Sequence, residues 1–315
     1  MKTRAPWVAW WLALLLLGGC REAPAEREVR VVVSGPGRLA RAQAFAERLR
    51  SYGLAGVRVR VCDAEGEAAR LADCLGGPVA LYVTVGGVET RTAVEGGGEV
   101  PVLYVGLAAS LDWGFVERLS RPGGRVSGVD NNYAELSGKR LQLLRLALPQ
   151  VRRVLVLYQP GVVPTARGLA SVRGAAEALG LELAYHPVRA VGDLEGLEAR
   201  VAQTGAGAVL LLPSYVLENH LDDVLARTNA AGVPLVGLDA AQVRAGALLA
   251  YGATGAAMGR QAARMARQLL EGYPVSEMPV ERPQQMSLAL NRGVARRLGL
   301  ELDPRLLDLA DEVVP

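Results

Sequence analysis

Histidine is almost missing from this chain, with His186 and His220 the only two among 315 residues. Neither stands at a Cys/His or His/carboxylate spacing that holds a metal, and no metal or other cofactor is expected. His220, between Glu218 and Asp222 on a helical stretch, reads as part of a solvated face. No nucleophile elbow, P-loop or dinucleotide fingerprint occurs, so the sequence offers no catalytic constellation and reads as a non-enzyme. Charge of one sign is also missing. The net charge of +3, less the two charges of Lys2 and Arg4, leaves +1 on the remaining side chains, which gives no attraction for nucleic acid or an acidic surface. Cysteine is limited to Cys20, Cys62 and Cys74, and tryptophan beyond residue 11 to Trp113.

The one long apolar run, residues 7–17, follows Lys2 and Arg4 and precedes Leu17-Gly18-Gly19-Cys20. A basic start, about eleven apolar residues and small residues before a cut outline an export signal, since a membrane span needs roughly 20. The cysteine makes it specific: the segment resembles the lipobox of bacterial lipoproteins, which implies a leader over 1–19 and lipidation of Cys20. Residues 20–27 then read as a solvated tether. An oxidising compartment favours pairing of Cys62 with Cys74. A strand over 57–62 and a helix over 65–75 would instead hold the thiols about 15 Å apart, and sequence leaves the disulfide open.

From Val29 onward, short β-branched strands alternate with amphipathic helices, as in parallel sheets covered on both faces. Strands are expected over 29–34, 57–62, 79–84 and 102–106, with Leu39, Ala42, Phe45, Ala46 and Leu49 marking the buried face of the first helix. Arg121-Pro122-Gly123-Gly124-Arg125 breaks the pattern with strong turn formers. A second set of strands follows over 126–131, 154–158, 181–186, 208–212 and 234–238. The mature length is too large for one ordinary core, and two similar α/β lobes in tandem are the simplest reading.

Four stretches carry a resemblance. They are Ser120-Arg121-Pro122-Gly123-Gly124 with Val126-Ser127-Gly128-Val129; Leu148-Pro149 to Tyr158; Gly246-Ala247-Leu248 with Gly259-Arg260-Gln261-Ala262-Ala263 and Leu270-Glu271-Gly272; and Leu290-Asn291 with Leu298-Gly299-Leu300 and Ala310-Asp311. The chain resembles the substrate-binding lipoproteins of ABC importers that include tryptophan- and tyrosine-binding members. That resemblance implies the type I periplasmic-binding-protein fold: two doubly wound parallel-sheet lobes joined by three crossing segments and closing on a small molecule. It places the crossings near 123–126, 245–247 and 282–286. Lobe I is then 28–124 plus 246–284, and lobe II is 125–245 plus 285–315. It further implies a monomer that presents a small organic solute, with amino acids among the candidates, to a permease served by an ATPase. The alternative is a ligand-sensing or regulatory envelope lipoprotein using the same clamp. Arg21 in place of the aspartate that retains many such lipoproteins at the inner membrane favours the outer membrane.

Ligands in such sheets gather beyond the carboxyl ends of the strands. The candidates there are Ser34, Gly86, Gly87, Asn131, Tyr158, Ser214, Tyr215, Asp239 and Tyr251. Asp239 carries the most weight, as a carboxylate able to hold an ammonium or a sugar hydroxyl, with a helix cap as the other reading. Gly86-Gly87 offers amides at a helix start, suited to a carboxylate, and the three tyrosines offer aromatic walls. Members of the family commonly carry Gly-Thr where Gly86-Gly87 stands, Asp-Pro-Val after the strand ending here in Gly106-Leu107-Ala108, and an Asp near Tyr215. Loss of those polar groups turns the expectation toward a less polar or differently shaped ligand.

Overall fold

The computed structural model describes residues 26–315, so the expected leader, Cys20 and most of the tether lie outside the described residues. The chain opens with β1 (Arg27–Val33), α1 (Pro36–Arg50), β2 (Val57–Asp63), α2 (Ala68–Cys74), β3 (Leu81–Val85), α3 (Gly87–Gly96), β4 (Val102–Leu107) and β5 (Val126–Asp130). These five strands form one parallel sheet in the order β2-β1-β3-β4-β5. Its central strands are buried along their whole length, because helices cover both faces and every position packs.

The second set runs α4 (Leu136–Ala147), β6 (Arg153–Tyr158), α5 (Val163–Leu179), β7 (Glu182–Pro187), α6 (Leu197–Thr204), β8 (Ala208–Leu211), α7 (Tyr215–Asn219), α8 (Leu221–Ala230), β9 (Leu235–Gly237), α9 (Ala240–Ala245) and β10 (Leu249–Gly252). After α10 (Gly255–Leu270), the chain ends with β11 (Ser287–Asn291), α11 (Arg292–Arg297), α12 (Pro304–Asp308) and β12 (Glu312–Val314). The second sheet has seven strands in the order β12-β11-β10-β9-β8-β6-β7, parallel except for β10 against β11. Two α/β lobes in tandem are therefore present.

Where the chain changes lobes differs from the expected 123–126 and 245–247. The 126–130 strand pairs with β4, so the turn formers at 121–125 lie inside the first lobe and the crossing follows Asp130. Gly128 permits that pairing, since a Cβ there would collide with the Tyr104 carbonyl on β4. Likewise β10 stays in the second sheet beside β9, and the chain returns only at α10, which packs on α1. Gly259 makes that contact close, because a Cβ would overlap the Arg41 carbonyl. The third crossing lies near the expected place, after Glu281, whose carbonyl accepts from the Asp130 amide at 2.9 Å. Turn formers mark where a chain bends; strand pairing, not turn chemistry, decides which sheet receives it.

Arg140, which is wholly buried, ties the first crossing to the second sheet. Its guanidinium donates to the carbonyls of Tyr251 (2.9 Å), Tyr133 (2.8 Å) and Leu238 (3.2 Å), and burial pushes its pKa down to about 10.

Cys62 and Cys74 form a disulfide with a Cα separation of 5.8 Å, against the 15 Å expected from a helix over 65–75. The helix begins only at Ala68, after a turn with positive φ at Glu65 and Gly66, and brings Cys74 back beside the strand end. Arg30 on β1 holds the same place by donating to the Cys74 carbonyl at 3.2 Å.

Candidate functional site

Both sheets point their carboxyl ends at one cleft between the lobes, which encloses about 490 Å³ of space partly open to solvent. The first lobe supplies Arg38 on α1, Gly86, Gly87 and Val88 at the start of α3, Gly106 to Ala108 at the end of β4, and Trp113. Asn131 stands at the first crossing. The second lobe supplies Val162 and Pro164 at the start of α5, and Pro213, Ser214, Tyr215 and Glu218 around α7.

Helices α1, α3 and α5 begin at this cleft with N-caps Gly35, Gly86 and Val162, none of which caps through a side chain. Of the three, α3 is the start whose first amides have neither cap nor proline and that offers its positive partial charge, since Pro36 in α1 and Pro164 in α5 have no N–H and the Gly37 amide donates to Asn219 Oδ1 at 3.2 Å. Glycine is required at two of them. Gly35 (φ 86) and Gly86 (φ 134) adopt backbone that L side chains avoid, and a Cβ would overlap Asn219 at the first, and Arg38 and Glu89 at the second.

A buried ion cluster joins the lobes across the cleft. Arg41 Nη2 donates to Glu218 Oε2 at 3.1 Å, while Arg38 Nη2 lies 3.5 Å from Glu218 Oε1 and its Nη1 3.9 Å from Glu89 Oε2. Burial opposes ionisation of Glu218, but the Arg38 and Arg41 guanidiniums outweigh it and hold the carboxyl below the ordinary carboxylate range. Burial pushes Glu89 the other way, above its ordinary value, with Arg38 pulling against it. Neither Glu89 oxygen has a hydrogen-bond partner in the structure, and neither has the buried Nε of Arg38. Arg38 also lies over the ring of Tyr215, 5.2 Å from its centroid.

Of the residues singled out in the sequence, Gly86, Gly87, Asn131, Ser214 and Tyr215 line the cleft. Ser34 is buried at its edge, with its carbonyl 3.5 Å from Asn219 Nδ2. Tyr158 and Tyr251 are not among the lining residues. Tyr158 packs edge-on against Tyr185 at 6.3 Å, and the Tyr251 carbonyl accepts from Arg140. Asp239, weighted as a cleft carboxylate, takes the capping place: Oδ1 accepts from the amides of Ala241 (3.0 Å) and Gln242 (3.3 Å), and Tyr133 Oη stands 3.1 Å from Oδ2. Glu218, read as part of a solvated face, is buried in the cluster, while the neighbouring His220 is partly exposed beside Asp223 at 3.4 Å. Helix α7 is one short turn whose two sides face opposite ways.

Sequence reading missed Arg38 and Arg41, although a signal was present. With Ala42, Phe45 and Leu49 they fall on one three-to-four-residue stripe, which puts two arginines on the face of α1 that ought to be apolar. Trp113 lines the cleft, and its indole rests on Gly87, where any Cβ would overlap it. It donates from Nε1 to the Ala108 carbonyl at 3.1 Å and stacks on Phe115 at 5.5 Å.

Comparison with known proteins gives the same architecture. A tyrosine-binding protein of Clostridioides difficile (strain R20291) is 21% identical over 222 residues, covering 70% of this chain and 63% of that protein's length. Among solved structures, an ABC domain in complex with L-Trp from Streptococcus pneumonia shares 17% identity with a TM-score of 0.84, over 92% of this chain and 100% of that one. A conserved domain protein from Vibrio cholerae shares 19% identity with a TM-score of 0.83, over 91% and 99% respectively. The model of the ABC transporter substrate binding proteins matches residues 27–314, nearly everything the structure describes, and the chain belongs to that family.

Proposed function

We propose that this chain is the solute receptor of an ABC importer, held outside the cytoplasm by a lipid on Cys20 and delivering a small organic solute from the inter-lobe cleft to a permease. The observation that supports it most is the convergence of both sheets on one cavity lined from both lobes, with the uncapped start of α3 facing it. Gly86, Gly87, Asn131, Ser214 and Tyr215 are the contact residues in this reading, joined by Arg38 and Trp113. Relatives named for tyrosine and solved with L-Trp make amino acids the first class to test. Among the described residues no helix is long and apolar enough to cross a membrane, so attachment rests on the leader and Cys20.

The test is a thermal-shift screen of the purified full-length chain against small solutes, followed by calorimetry. A ligand at 100 times its Kd is expected to stabilise by about 2.7 kcal/mol, and a chain that no small solute stabilises would end the receptor reading. Cys20→Ser is expected to move the chain from the membrane pellet to the soluble fraction, since acyl chains supply the anchoring free energy.

A further inference from the structure

Resting on the reading that the cleft holds a small solute, we infer that this solute is an organic anion with an apolar body, a carboxylate in the first instance, bound through Arg38 and the first-turn amides of α3 with no ammonium required.

The cations and anions of the cleft are unequally occupied. Glu218 is the only carboxylate among the residues that line the cavity, and each of its oxygens already faces a guanidinium. Asp130 is also taken, with Oδ2 accepting from the Ser110 amide (2.8 Å) and hydroxyl (2.7 Å) and Oδ1 from the Asn132 amide (2.9 Å). Asp239 is spent as a cap. A ligand ammonium would meet no free carboxylate among the residues that line the cavity; Glu89, whose oxygens are unpartnered, lies beneath Gly86 and outside that lining.

An anion is better served. Arg38 lines the cavity and is nine-tenths buried, yet its two ion pairs are long, at 3.5 and 3.9 Å, and its Nε–H has no partner. A guanidinium left short of hydrogen bonds in a low-dielectric cleft gains from a carboxylate that completes them. Beside it, Gly87 and Val88 open the ten-residue helix α3 with no side-chain cap, so the amides and the helix charge act on the same spot. Burial beneath Gly86 pushes the Glu89 carboxyl above its ordinary value, with Arg38 pulling against it. Much of the opposite wall suits an apolar body, with Ser214 and Tyr215 its uncharged polar members. Val162, Pro164 and Pro213 are apolar, and the two prolines bring no N–H.

The experiment compares solutes that share a body and differ in charge, titrated by calorimetry into the purified full-length chain: 3-phenylpropionate, its amide, phenethylamine and phenylalanine, and the matching isobutyl series from 4-methylvalerate to leucine. One acid is expected to bind at least about tenfold more tightly than its amide, amine or amino acid. In Arg38→Gln that preference should fall by about tenfold while the amide, which reports an intact cleft, changes by less than about threefold. Glu218→Gln should strengthen acid binding, because Arg38 loses a competitor. A neutral, cationic or zwitterionic member that binds as well as its acid overturns the anionic inference and leaves the receptor reading standing. So does an acid preference that survives Arg38→Gln. If neither series binds and a broad solute screen also finds nothing, both readings fall; if that screen finds only non-anionic ligands, the inference alone falls.

Discussion

The two lobes face the same cleft with different chemistry. The first brings charge and open backbone: Arg38, Arg41, Glu89 and the glycine-capped start of α3. The second brings shape, with Val162, Pro164 and Pro213 beside the Tyr215 ring, and one charge, Glu218, that the first lobe's arginines already hold. Division of labour follows, in which the first lobe recognises a polar end and the second closes over a body. They also differ in what keeps them folded. The smaller sheet has a disulfide and the larger one rests on packing around a buried arginine.

The strongest break of that comparison is at Arg140. Arg140→Met would remove the guanidinium from the buried carbonyls of Leu238 and Tyr251 and leave that of Tyr133 with the Ser137 hydroxyl alone, at a cost of about 3–5 kcal/mol. Because two of the three carbonyls belong to the larger sheet's side and the third to a crossing, the loss should appear in the second lobe's calorimetric transition first. A decrease below about 1 kcal/mol would show that those carbonyls find other partners.

Next in size is the first lobe's own staple. Cys62 and Cys74 close a loop of sequence separation 12, and a bridge over such a loop contributes about 3 kcal/mol by the chain-entropy account. Cys62→Ser with Cys74→Ser is expected to lower the first lobe's transition by about that amount and leave the second nearly in place. Equal movement of both transitions would mean that the lobes unfold as one unit and that the contrast between them does not extend to stability.

How much of this was readable in the sequence follows the same division. Periodicity gave the strands and their burial, since continuous β-branched runs such as Leu81–Val85 can only be covered on both faces. Lobe membership was harder: the turn formers at 121–125 and the crossing expected at 245–247 lie inside single lobes, because Gly128 against Tyr104 and Leu249 against Val236 are contacts between distant parts of the chain. In the cleft, backbone features were legible, as glycines at strand ends have few other uses. Side-chain roles were not. Asp239 and Glu218 look alike in sequence, a carboxylate at a helix start and one within a turn, and only the approach of α1 from the other lobe decides that Glu218 meets the arginines while Asp239 meets its own helix.

Two carboxylates of the buried ion cluster sharpen the comparison through pH. Glu218, from the second lobe, has its folded pKa depressed below the ordinary 4.5, so its contribution to stability is present above that value and is lost as pH falls through the folded pKa. Glu89, from the first lobe, has its folded pKa raised, so its contribution is present below 4.5 and is lost as pH rises through the raised value. Glu218→Gln should therefore flatten the acid side of a stability-against-pH curve. Glu89→Gln should raise stability on the neutral side. Urea unfolding from pH 3 to 8, about the range over which carboxylates titrate, reads both. Slopes of the same sign in the two variants would mean that the cluster titrates as a single unit.

The smallest effect is expected where the lobes touch in water. Arg167 on α5 reaches across to Asp112 of the first lobe, donating from Nε to Oδ2 at 2.8 Å, and lies 3.5 Å from Glu135. The geometry is as good as that of the Arg41–Glu218 pair, yet the side chains of Arg167 and Asp112 are 41% and 36% exposed, against 5% and 7% for the buried pair. Exposed ion pairs contribute about 0.2–1 kcal/mol because water and salt screen them and two long side chains must be ordered. Arg167→Ala should therefore weaken solute binding by no more than about fivefold, and the difference from the unmodified chain should vanish as salt is raised toward about 1 M, where the Debye length falls to about 3 Å. Calorimetric titration at two salt concentrations reads this directly. A loss of more than about tenfold that persists in high salt would place Arg167 inside the closed interface, and the contrast between a buried tie at Glu218 and a screened one at the rim would be gone.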